Sequence, residues 1–72
     1  MNKEEKFEKL NAHIGWEQVS DIQQLDAECG DRPSTGKKLA GYLIENAQNQ
    51  TGIPLESKER EELVKILAKQ YD

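Results

Sequence analysis

Leu39, Ala40, Leu43, Ile44 and Ala47 recur at i, i+1, i+4, i+5 and i+8, a broad apolar stripe on a helical period. Only an α-helix brings those five positions to one side. In a chain of 72 residues such a stripe demands that the remaining segments cover it. The segments available for that task are helical too. No run of alternating β-branched residues exists, and "GIPL" at 52–55 is too short for a strand.

The segment around the stripe reads as a helix from about Thr35 to Gln48, followed by "NQTGIP" as its stop. Gly52 can take a left-handed cap, and Pro54 biases Ile53 towards an extended conformation. Before it, "NKEEKFEKLNAHI" starts with Asn2 as a cap and Glu5 at capping-box spacing. Phe7, Leu10 and Ile14 share one face there, and Gly15 reads as the stop. The next helix begins at Trp16 or at Ser20 and carries Val19, Ile22, Leu25 or Asp26, and Cys29 inward, with Gly30 ending it. The last runs from a Ser57 cap to Tyr71, with Leu63, Val64, Leu67 and Tyr71 inward, Ile66 at the edge, and Glu61 paired with Lys65. The expected fold is all-α: one domain over residues 1–72, a compact bundle of three to four short helices joined by short loops.

Charge narrows the partners. The formal net charge is −4, and it is unevenly placed. Residues 1–31 carry three basic against eight acidic side chains, whereas residues 32–72 carry seven against six. Nucleic-acid binding draws on cations facing phosphates, so an acidic chain is a poor starting point for it. No apolar run approaches the roughly 20 residues of a membrane span, and "MNKEEKFEKL" lacks the apolar stretch of a signal peptide. With a single cysteine, the expected location is the cytoplasm.

"CGDRPSTGKK", residues 29–38, approaches a phosphate-binding loop without becoming one. That loop needs four residues between its glycines, a hydroxyl after the lysine and a strand before it. Here five residues separate Gly30 from Gly36, Lys38 replaces the hydroxyl, and a helix precedes. The stretch reads instead as a connector, with Asp31, Ser34 or Thr35 capping the next helix. Its cations Arg32, Lys37 and Lys38 form the one basic concentration of the chain, beside a helix start that is at most a generic anion site.

No set of residues announces catalysis. His13 is the only histidine and Cys29 the only cysteine, at no recognisable motif spacing, and Cys29 reads as a small buried apolar residue. Metal ligation lacks a His/Cys cluster, and the acidic residues of 17–31 do not follow a calcium-loop pattern. No cofactor, metal or enzymatic activity is expected. Trp16 reads as a packing anchor of the core, with an exposed partner contact as the alternative.

The function expected by elimination is that of a small non-enzymatic interaction protein. It would bind another protein through a helix face, with Trp16, Glu17, Asp21, Glu28, Asp31, Arg32, Lys37 and Lys38 as the candidate contacts. The acidic members would steer it towards a basic partner. By analogy alone, an acidic domain of this size suits a bacterial or mobile-element regulator, adaptor or inhibitor. The alternative is a DNA-binding regulator that uses Arg32, Lys37 and Lys38 with helix 36–49. A homodimer through Ile66 and Tyr71 is a third arrangement.

Overall fold

Asn2 opens the first helix as expected: its side-chain Oδ1 accepts from the Glu5 amide at 2.9 Å. The computed structural model describes residues 1–71, which form four helices in the order α1 (Lys3–Asn11), α2 (Trp16–Glu28), α3 (Gly36–Thr51) and α4 (Ser57–Gln70). Among the described residues there is no strand. The chain is an all-α bundle of short helices.

The stripe on α3 is the centre of the core. Leu39, Ala40, Leu43, Ile44 and Ala47 are all buried, and Leu43, Ile44 and Ala47 have no exposed surface. Leu10 and Ile14 from the α1 side, Val19 from α2, Ile53 from the α3–α4 connection, and Leu63, Leu67 and Tyr71 from the α4 side close around it. Phe7, Ile22, Leu55, Val64 and Ala68 pack against the rim. Truncating a residue such as Leu43 to Ala would cost about 2–5 kcal/mol. The contact between α3 and α4 is the most extensive in the molecule.

Two helix ends use glycine in the left-handed region. Gly52 (φ 72°) caps α3, its N–H donating to the Gln48 carbonyl at 2.7 Å. Gly30 (φ 76°) terminates α2, with Gly30 N–H bonded to Ala27 O and Asp31 N–H to Asp26 O. That pair of bonds is a Schellman motif, and it satisfies carbonyls that the helix end leaves free.

Several local expectations are corrected. α1 stops at Asn11, with Ala12 still right-handed as its C-cap, so Gly15 does not end it. Gly15, extended at φ −167°, is the N-cap of α2, which therefore starts at Trp16 and not at Ser20. α4 is capped by Glu56 and not by Ser57: the Glu56 N–H donates to Glu59 Oε1 at 3.0 Å. A charged carboxylate at that helix start also meets the positive end of the dipole. α3 continues past Gln48 to Thr51, whose Oγ1 bonds back to the Ala47 carbonyl at 2.8 Å.

Ion pairs orient α1 on α4. Lys3 meets Glu62 at 3.2 Å and Lys6 meets Glu59 at 3.0 Å, so the two helices run antiparallel. Among the described residues these are the ion pairs of the fold; the expected Glu61–Lys65 pair along α4 is not formed. The Lys6–Glu59 side chains are only 16% and 14% exposed, and water screens such a pair less than one on the open surface.

Candidate functional site

α2 attaches to the core by a narrow strip. Of its 13 residues only Val19 is buried, with Ile22 packed against the rim. The other side of the helix faces solvent. Glu17, Asp21 and Glu28 are exposed and fall within about 40° on the helix circumference, so the structure brings these three expected contacts into one acidic row. Asp31 is exposed just beyond the Gly30 turn at the end of that helix.

Trp16 corrects the packing expectation. It is 67% exposed at the first position of α2, and its ring meets Tyr71 edge-on with 5.0 Å between centroids. Cys29, expected inside, is exposed as the C-cap of α2. The choice between Leu25 and Asp26 for an inward position goes to Asp26. Leu25 is 60% exposed, while the Asp26 carboxylate turns back to the connector.

That connector is pinned by one buried serine. Ser34 is 2% exposed; its N–H and its Oγ both donate to Asp26 Oδ2, at 2.8 and 2.7 Å. Its carbonyl accepts from Gln23 Nε2 at 3.2 Å. Ser34 therefore does not cap α3; Thr35 is the N-cap, without a side-chain bond. The two bonds from Ser34, helped by the charge of Lys38, hold the Asp26 carboxyl below the ordinary aspartate range. The Glu59 carboxyl is also held low, first by the Glu56 amide and then by Lys6.

The basic cluster divides. Arg32, Lys37 and Lys38 are all exposed, but Lys37 and Lys38 leave α3 about 100° apart. Lys38 acts on Asp26, towards α2. Lys37 lies with Lys65 and Lys69 around a shallow hollow between α3 and α4, floored by Gly36 and Ala68. A neighbouring hollow adds Arg60 beside Lys37 and Lys65, with the carboxylate of Glu61 among them. The α4 cations were not legible as part of the cluster, because only the antiparallel packing of α3 and α4 brings them to it.

Sequence reasoning also missed the groove between α2 and α3, of about 510 Å³. Ile22, Leu25 and Tyr42 supply its apolar surface, and Asp21, Asp26 and Glu45 its charge. Leu25 and Tyr42 are 60% and 43% exposed, so two large apolar side chains face solvent across it. The signal for it lay in Tyr42 and Glu45, which fall off the buried stripe of α3.

His13 and Cys29 sit at opposite ends of α2. The half-buried His13 ring pairs through Nδ1 with Gln50 Oε1 at 3.0 Å, tying the α1–α2 corner to the end of α3. Among the described residues, no group of three or more His, Cys, Asp and Glu side chains is placed to hold a metal ion. No described helix is long and apolar enough to cross a membrane. Compared with protein-family models, curated proteins and solved structures, the chain finds no significant match. Fold and surface together define a small four-helix domain with an acidic, partly apolar face on α2 and a basic edge along α3 and α4.

Proposed function

We propose that the chain is a non-enzymatic interaction domain that binds another protein through the outer face of α2, as a regulator, adaptor or inhibitor of that partner. One observation carries the reading. α2 buries only Val19 outright, yet it presents Leu25 to solvent beside the row of Glu17, Asp21 and Glu28, with Trp16 exposed at its first turn on the opposite side of the helix. An exposed large apolar side chain beside a charged row is a usual element of a contact surface. The carboxylates favour a basic partner and speed its encounter.

The test is capture of partners by the tagged protein, compared with Glu17→Lys/Asp21→Lys. Both positions are exposed, so the variant keeps its helicity. A partner held by the wild type and lost by the variant supports the reading. A partner held equally by both, or none retained at low salt, ends it.

A second reading, DNA binding through Arg32, Lys37, Lys38 and α3, gains Lys65 and Lys69 as neighbours of Lys37. Against it, the exposed side of α3 carries Glu45 and borders Asp21 and Asp26, which repel phosphates. Retention on duplex DNA at low salt that falls with Lys37→Glu/Lys38→Glu would favour it. No retention of the wild type removes it.

A further inference from the structure

We infer that the groove between α2 and α3 seats one amphipathic helix of a partner protein, with an apolar stripe flanked on both sides by Lys or Arg. The inference rests on the interaction-domain reading and names the occupant of one part of its surface.

The chemistry of the groove carries it. Its two walls are α2 and α3, and each presents a carboxylate: Asp21 from one and Glu45 from the other. Among the described residues neither is in an ion pair. Asp26, the third carboxylate, is committed to Ser34. Ile22, Leu25 and Tyr42 line the groove between those carboxylates together with four side-chain amides, and no Lys or Arg lines it. An apolar strip with a negative charge on either side is complementary to an apolar stripe with a positive charge on either side.

Length and shape favour a helix. The lining on α2 runs from Gln18 to Asp26, about 12 Å, which is a little over two helical turns. A helix laid there would place anchors at i, i+3 or i+4, and i+7 against Leu25, Tyr42 and Ile22. A peptide that binds by adding a β-strand would need a free sheet edge, and the described residues contain no strand. Phosphate-bearing partners are repelled by the same carboxylates. A second copy of this chain fits less well. Its basic hollow, bounded by Lys37, Lys65 and Lys69, has Gly36 and Ala68 at its floor and no large apolar side chain to meet Leu25 and Tyr42.

The experiment titrates the isotope-labelled protein with a synthetic helical peptide of about 14 residues. The peptide carries Leu on one stripe and Lys and Arg on both flanks. The control peptide has the same composition, with its Leu residues spread around the helix. We expect amide shift changes centred on Asp21, Leu25, Tyr42 and Glu45, and binding about tenfold tighter than that of the control. Asp21→Lys/Glu45→Lys and Leu25→Ala/Tyr42→Ala should each weaken binding by about tenfold, with unchanged circular dichroism. Equal binding of the control peptide, or shifts centred on another face, overturns the inference. So does a concentration-dependent dimer, or added duplex DNA, that produces the same shifts without peptide. A captured partner that is lost with Glu17→Lys/Asp21→Lys but kept with Leu25→Ala/Tyr42→Ala would leave the interaction reading standing and remove the groove as its seat.

Discussion

The indole of Trp16, at the start of α2, stands edge-on against the ring of Tyr71, at the end of α4, with 5.0 Å between centroids and 78° between planes. The contact joins two chain segments far apart in sequence, and it is lopsided. Tyr71 is 8% exposed while Trp16 is 67% exposed, so the tyrosine belongs to the core and the tryptophan leans on it from outside.

The two rings should therefore differ in what their loss costs. Tyr71→Ala is expected to destabilise by about 3 kcal/mol, as a buried aromatic does. Trp16→Ala should cost only about 1 kcal/mol, the edge contact and little more. Urea unfolding followed by circular dichroism measures both. The Trp16 emission of the folded protein should already resemble that of a solvated indole, and Tyr71→Ala should shift it further to the red.

Acid should loosen the fold through two particular carboxylates. Asp26 and Glu59 both hold their protons less tightly in the folded chain than ordinary Asp and Glu do. The unfolded chain then takes up protons first, so their stabilisation is complete above the ordinary carboxylate range and drains away as the pH falls through the lowered folded-state values. Thermal unfolding between about pH 6 and about pH 3 should show a falling midpoint, and Asp26→Asn/Glu59→Gln should flatten that fall. Ser34→Ala removes the largest influence on Asp26. It should raise that carboxyl's titration midpoint, read by carbon-detected magnetic resonance, and lower the urea midpoint at neutral pH.

Two glycines on the same helix should respond oppositely to alanine. A Cβ added at Gly41 would lie 3.6 Å from Arg60 Nη2, an ordinary contact, and the backbone there is helical. Gly41→Ala should stabilise by about 0.5–1 kcal/mol, because the unfolded chain loses freedom. Gly52 has open space around it but sits at φ 72°, where an L side chain is strained. Gly52→Ala should destabilise by about 1 kcal/mol. Chemical denaturation of the two variants beside the wild type measures the opposite signs.

What the sequence made legible was set by range. The stripe on α3 is a local pattern within one helix, and all five of its residues are buried. The Asn2 cap and the Gly30 and Gly52 stops are equally local. Misreadings arose where a residue's fate depends on a distant segment. Trp16 leans from outside on Tyr71, 55 positions later, a partner no local pattern reveals. Asp26 turns inward in place of Leu25 because Ser34 offers it two hydrogen bonds. Lys6 finds Glu59 across the bundle, whereas the local rule favoured Glu61 with Lys65. Of the candidate contacts, the acidic row on α2 followed from helical spacing. The groove did not, since it exists only once α2 lies beside α3.

The division of labour between α2 and the rest has a consequence for how this chain can change. α3 and α4 are neighbours in sequence, so they can meet with little loop-closure entropy, and they supply most of the core. α2 docks on them through Val19 and a few rim contacts. Substitutions on its outer face therefore leave the folding unit almost untouched. The surface that selects a partner can drift, or be redesigned, at nearly constant foldability.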